Sequence, residues 1–360
     1  MPKRFAACIV SRQPKNPSAA SIWIKDAKEA LLYLKKNNRG LITSVGMQTW
    51  ELLTTLGREH SLRMKILLPA DSYAHFEQSV NETRYQFDLE KNTRFIFISP
   101  GETKKEHLKM RDQKAIQIAD ELIPLSIRSG GSLEKYLKTV APERITDTFS
   151  SPYCSKNRRG VTHMYPFPEQ LHCTTPGRYL FHWTRACDTA WRTERKIDYY
   201  RDILTSPSYP RSAFDTLKNI LRCKTIISAN RHMPHRQKCV CFTSRCPEEF
   251  ISLMRWRKRY GQMSFEPYGI GVEKVCGEEL GIKEVEYVSS PTKKIPREKR
   301  WHYQSIGKKG YWPVEKEYRH AEDFPLTDIP GDKLLCCCYS QKHAEEIEQA
   351  FGIRSIFFTK

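Results

Sequence analysis

Three short segments in the second half of the chain hold residue types that NAD chemistry would use. They are Phe181-His182-Trp183-Thr184, Cys239-Val240-Cys241-Phe242-Thr243-Ser244 and Glu315-Lys316-Glu317-Tyr318-Arg319-His320. A histidine on an early strand, hydroxyls on a middle strand and a late glutamate form a set able to bind and react NAD. The histidine and a hydroxyl would hold the ribose and nicotinamide. The glutamate carboxylate would bond a ribose hydroxyl and stabilise the oxocarbenium-like charge that develops as nicotinamide leaves. A structural reading stays open beside it, because a satisfied strand histidine and a solvated charged strand give the same letters.

The first half offers a different chemistry, the cradling of phosphate. Two loops that follow a strand and enter a helix qualify: Thr43-Ser44-Val45-Gly46-Met47, with Glu51 in the helix behind it, and Arg128-Ser129-Gly130-Gly131-Ser132. Exposed backbone N–H groups at a helix start satisfy phosphate oxygens. Gly130 and Gly131 permit close backbone approach, and Arg128 adds charge. Neither loop is a Walker loop or a G-x-G-x-x-G fingerprint, which argues against a conventional NAD dehydrogenase. Two glycines also serve simply to turn the chain before a helix.

A third pattern interleaves cations with aromatics: Arg255-Trp256-Arg257-Lys258-Arg259-Tyr260, and again 297–311 with Trp301, His302, Tyr303, Lys308 and Lys309. Cations neutralise phosphates while rings stack on exposed bases, so nucleic-acid contact is expected from Arg255, Arg257, Lys258 and Arg259. The alternative is a solvated basic helix whose Trp256 faces the core. His232, His235, Cys239, Cys241 and Cys246 have zinc-ligand chemistry but no C-x2-C knuckle. Cys239 and Cys241 alternate on a strand and read better as core residues on one face, so no metal is expected. Cys336-Cys337-Cys338 reads as core for the same reason.

These residues need elements to position them. Apolar runs at 4–10, 41–44, 65–69, 94–99 and 121–127 read as strands. Helical spacing at 21–37, 48–60 and 104–119, and through Leu133, Leu137 and Val140, fills most of the intervals. Strands alternating with helices imply an α/β fold, Rossmann-like with a mostly parallel sheet, whose ligands bind beyond the carboxyl ends of the strands. Prolines and basic residues crowd 141–178, the expected linker. After it come short strands at 179–183, 239–243, 268–272, 284–288, 334–339 and 355–359, with helices at 212–221, 247–259 and 341–351. The expected organisation is a nucleotide-binding domain over 1–140, a Pro-rich basic linker over 141–178 and a basic α+β domain over 179–360.

At 360 residues and net charge +19, with a basic excess in both halves, the chain is expected to fold as two domains and to meet polyanions. All of its twelve cysteines but Cys8 fall between Cys154 and Cys338, and in a chain of this size without an export signal they read as reduced thiols. No apolar run approaches the ~20 residues of a membrane span. A cytoplasmic location without membrane contact is expected, and a homo-oligomer is compatible with the sequence.

The first half resembles the SLOG superfamily, which includes the DNA-processing protein A and cytokinin-activating nucleotide hydrolases. The likeness lies in Ile42-Thr43-Ser44-Val45-Gly46-Met47-Gln48, Lys65-Ile66-Leu67-Leu68-Pro69, Arg111-Asp112-Gln113, Ala119-Asp120 and Arg128-Ser129-Gly130-Gly131-Ser132-Leu133. It implies a nucleotide or nucleic acid bound at the strand ends, on Ser44, Gly46, Arg128, Ser129, Gly130 and Gly131. The P-G-G-x-G-T-x-x-E signature of the hydrolases is not reproduced, so binding or sensing is favoured over hydrolysis. The second half, through its H-W-T, V-C-F-T, Y-G-I-G and E-K-E-Y-R-H segments, resembles AbiGi-like domains of phage-defence systems and, remotely, DarT-like ADP-ribosyltransferases. That likeness implies NAD on His182 and Thr184, Tyr268 as a stacking residue and Glu317 as the catalytic acid.

The expectation is a prokaryotic defence or stress effector, its first domain binding a nucleotide and its second transferring ADP-ribose from NAD to nucleic acid or protein. The rival is a non-catalytic nucleic-acid-binding, nucleotide-sensing protein. A third reading is a nucleotide N-glycosidic hydrolase that would depend on Glu51 and Arg111.

Overall fold

Strand β1 (Phe5–Val10) explains its own unbroken apolar run by its position: Ala6 to Val10 are all buried, because both faces of the strand are covered. The computed structural model describes residues 4–99, 103–153, 177–230, 233, 236–257, 262–289, 294–306 and 312–359. In it β1 lies between β2 (Gly40–Ser44) and β5 (Glu121–Ser126), while β3 (Met64–Pro69) and β4 (Arg94–Ile98) extend the sheet in the order β4-β3-β2-β1-β5. Every neighbouring pair is parallel, so the fold is α/β with a Rossmann-like sheet, as expected.

Helices α1 (Ile22–Lys36), α2 (Gln48–Glu59), α3 (Tyr73–Phe87) and α4 (Lys104–Ile118) connect the strands, and α5 (Ser132–Leu137) follows β5. On α1, Ile24, Ala27, Leu31 and Leu34 are fully buried at the spacing that predicted the helix. Each large side chain so buried contributes about 1.5–3 kcal/mol. Helix α3 escapes the sequence reading because its apolar stripe is thin: only Phe76, Thr83 and Phe87 are buried, and its start is set by the Ser72 hydroxyl accepting from the His75 amide. From β1 to β4 the chain steps along the sheet in one direction, then returns to place β5 on the other side of β1. The strand order reverses at β1 and β5, which is where open α/β sheets leave a crevice for ligands.

The expected boundary at 178 is corrected in one respect. Among the described residues, those up to 153 form a compact unit together with 188–210, and 177–187 form a second with those from 211 onward. The returning segment carries α6 (Lys196–Thr205), which buries Ile197, Tyr199, Tyr200, Ile203 and Leu204. Its ends are tied to the first unit by Lys28 Nζ donating to the Leu204 carbonyl at 2.8 Å and by the Ala19 amide donating to Ser206.

The second unit is built on a seven-stranded mixed sheet. Its strands run in the order 283–284, 317–320, 240–243, 179–183, 269–273, 334–340, 355–359, and all neighbours are antiparallel except the last pair. One face is an apolar core of Leu180, Val240, Phe242, Ile270, Val272, Tyr318, Cys336 and Cys338 under the helices Ala213–Cys223 and Gln341–Phe351. The opposite face is apolar only in part, with Phe181, Trp183, Leu335 and Cys337 packed on Phe250, Ile251 and Met254. The helix expected over 247–259 is shorter. It covers Pro247–Phe250, is followed by a 3-10 turn, and gives way to extended backbone at Trp256–Arg257 paired with Gln262–Met263. No helix among the described residues is long and apolar enough to cross a membrane.

Candidate functional site

At the switch point of the first unit, two loops are tied together by hydrogen bonds from Ser11. Its amide donates to the Ser126 carbonyl at 3.0 Å, and its hydroxyl accepts from the Arg128 amide at 2.9 Å. The flanking side chains Arg12 and Arg128 are exposed and form no ion pair among the described residues. Gln48 at the start of α2 donates to the Lys15 carbonyl at 2.9 Å, which fixes the loop after β1 against the loop after β2.

The two glycine loops are real turns, but their amides are spoken for. Gly46 and Gly130 take φ values of +85° and +70°, the left-handed region that only glycine enters without strain. The Gly46 amide donates to Glu51 Oε1 at 3.0 Å, and the Gly130 amide to Glu134 Oε2 at 2.9 Å. The carboxylates thus occupy donors that were expected to meet phosphate. Ser44 is corrected more plainly: it is fully buried and its hydroxyl donates to the Leu67 carbonyl at 2.6 Å, so it serves the sheet. Ser129 remains on the exposed rim beside Arg128, while Gly131 is half-buried with its amide used within the turn.

Beneath these loops lie two buried polar clusters. Glu51, 7% exposed, also accepts from Lys196 Nζ at 2.6 Å on Oε1 and from the Tyr200 hydroxyl at 2.8 Å on Oε2. Burial first, and then this carboxylate, hold the Tyr200 phenol well above its ordinary range. Arg111 is 1% exposed, donates through Nε and Nη2 to Asp112 at 3.0 and 2.7 Å, and lies 5.4 Å from the Trp50 ring. Its Nη1 is buried without a hydrogen-bond partner. Burial pushes the Asp112 carboxyl up despite the adjacent guanidinium.

In the second unit the polar residues form a strip on one face of the sheet. Thr243 pairs with Glu317 and Cys241 with Arg319 across neighbouring strands, so these four side chains and Cys239 share a face. Arg319, 2% exposed, grips Glu317 through Nε–Oε1 and Nη2–Oε2 contacts, both 2.8 Å, and reaches the Trp301 carbonyl and Gln304 Oε1 at 3.0 Å. The Thr243 hydroxyl donates to the Glu315 carbonyl at 2.6 Å. Burial, reinforced by the Glu317 charge, pushes the Glu315 carboxyl up to about 7 against the pull of Arg257, Arg319 and Arg255. Tyr287 is pushed up by burial and by the same two carboxylates.

The expected NAD set is not assembled. Phe181 pairs with Thr243, which pairs with Glu317, so the adjacent His182 faces the other way, beside Phe242 and opposite Ile270. There it is desolvated, its pKa lowered, and Nδ1 lies 2.9 Å from the Cys241 carbonyl. Thr184 is 3% exposed with its hydroxyl 2.9 Å from the carbonyls of both Ala213 and Tyr268. Tyr268 is buried with its hydroxyl 2.9 Å from His343 Nδ1. These residues do not fit NAD, since their polar groups are already used inside the core.

Arg255 is exposed and Arg257 half-buried, while Lys258 and Arg259 lie outside the described residues, as do His232 and His235. Sequence reasoning missed Glu315 and Arg319. The alternation in E-Y-R is the signal for Arg319, because it puts Glu317 and Arg319 on one side of the strand Glu317–His320, whereas Glu315 ends the preceding 3-10 turn and no periodicity marks it. Cys239 and Cys241 share a face as expected, but that face is the polar strip and not the apolar core.

The sequence matches no family model and no curated protein.

Proposed function

We propose that the protein is a nucleotide-sensing, nucleic-acid-binding protein whose first unit takes a nucleotide at the carboxyl ends of β1, β2 and β5. The observation that carries this reading is the reversal of strand order at β1 and β5, with exposed Arg12 and Arg128 on the two loops that meet there. Guanidinium groups bind phosphate in bidentate geometry and do not lose their charge. The net charge of +19 supports a polyanionic partner, and the resemblance to the SLOG superfamily points the same way. The tightly held Glu51 favours a scaffold for the loop over an acid free to cleave a glycosidic bond.

Equilibrium dialysis with labelled AMP, ATP and NAD, and with short RNA and DNA strands, tests it. Wild type is expected to retain a nucleotide, and the double variant Arg12→Ala/Arg128→Ala to bind it at least about tenfold more weakly, one to two charge-assisted contacts having been lost. Retention unchanged in the double variant would overturn the assignment.

A second reading, defence-type group transfer by the second unit, is favoured by Glu315 alone. A carboxyl titrating near neutrality beside a fixed ion pair suits general acid–base catalysis. It would place the acid at Glu315, with Glu317 held by Arg319.

A further inference from the structure

Cys239 and Cys241 differ from the other buried cysteines in chemistry as well as place. They stand two residues apart on the Val240–Thr243 strand and its first flank, with Sγ atoms 3.8 Å apart. Cys239 is buried and Cys241 half-buried, and Arg319 lies directly across from Cys241. The Cys336-Cys337-Cys338 run and Cys8, by contrast, are enclosed, and their thiols are pushed up by burial. In the pair, Cys239 is held below the ordinary thiol range by the hydrogen bond from Cys241, with Arg319 adding positive potential, while Cys241 is pushed up in exchange. The pair thus gives up its first proton more readily than an isolated thiol and holds the remaining one, shared between the two sulfurs, more tightly.

We propose that Cys239 and Cys241 form a thiol–disulfide exchange site for low-molecular-weight disulfides. A thiolate of the pair attacks one sulfur of the small disulfide, forming a mixed disulfide and releasing one small thiolate. The second cysteine gives up its proton to solvent and attacks the protein-bound sulfur of the mixed disulfide. It expels the other small thiolate and closes the Cys239–Cys241 bond. Two protein thiols are oxidised and one small disulfide is reduced to two thiols, so atoms and electrons balance. This chemistry requires thiolate character, a neighbouring resolving thiol and access for the reagent, which the half-buried Cys241 offers and the buried Cys239 does not. A disulfide across alternate residues of a strand forces the backbone from its extended geometry, and strained disulfides are the reducible ones. Closure also withdraws thiolate density from Arg319, which keeps its ion pair with Glu317.

The test exposes full-length protein to hydroxyethyl disulfide, quenches with acid and maps thiols by tryptic mass spectrometry. Cleavage after Lys238 and Arg245 isolates both cysteines in one peptide, 239–245. Wild type is expected to lose two hydrogens in that peptide, reversibly with dithiothreitol. Cys239→Ser and Cys241→Ser should each trap a mixed disulfide on the remaining sulfur. The exposed Cys223 serves as an internal reference for reagent strength. Modification of Cys223 with peptide 239–245 still fully reduced would overturn the proposal, as would two separate mixed disulfides on the wild-type peptide without closure.

Discussion

The two units solve the problem of placing polar groups in opposite ways. In the first, a parallel sheet whose strands β1, β2 and β5 are buried on both faces leaves little room for chemistry on those strands, and its polar residues gather at the strand ends. In the second, a mostly antiparallel sheet keeps one face apolar and carries Cys239, Cys241, Thr243, Glu317 and Arg319 in register on the other. Polar groups are therefore concentrated at the loops where strand order reverses in one unit, and along a single side-chain row in the other.

Breaking the row should cost the most. Arg319→Ala leaves Glu317 and Gln304 without their partner in a buried setting, and a loss of about 3–5 kcal/mol is expected in a denaturant titration of the second unit's transition. Glu51→Ala in the first unit strands the Gly46 amide, Lys196 and Tyr200 together. About 2–3 kcal/mol is expected there, less because Lys196 keeps access to water. Equal and small effects at both positions would remove the distinction between a buried row and a loop-end cluster.

Titration sharpens the same comparison. Glu315 is raised in the folded protein from the ordinary 4.5 to about 7, so its protonated form is the one that folding favours. Its contribution is fully present below pH 4.5 and is lost as pH rises through 7. Stability of wild type relative to Glu315→Gln should therefore fall between those values, followed as the denaturation midpoint against pH. Parallel profiles for the two proteins would contradict the burial of this carboxyl beside Glu317.

Much of the first unit is legible in the sequence because its periodicities are strong. The central strands are unbroken apolar runs, and α1 shows its stripe in Ile24, Ala27, Leu31 and Leu34. Helix α6 is hidden because Ile197, Tyr200 and Leu204 recur with helical spacing on the far side of a proline-rich stretch, where the sequence reads as a new domain. Site residues are less legible, and for a physical reason. A sequence shows which residue types are present but not which strand register they keep, and a shift of one residue separates His182 from Glu317 by the thickness of the sheet. Ser44 illustrates a second limit: a hydroxyl at a strand end reads as a phosphate ligand until its bond to the Leu67 carbonyl is seen.

The most direct test of a nucleotide site at the β1–β5 switch is photocrosslinking with an azido-adenine nucleotide, followed by mapping of the labelled peptides. Label is expected on the loops 11–17, 45–47 and 127–131, and to be competed away by unmodified nucleotide. Competable label confined to peptides carrying 239–245 or 315–320 would place the nucleotide on the second unit's polar strip and contradict the account.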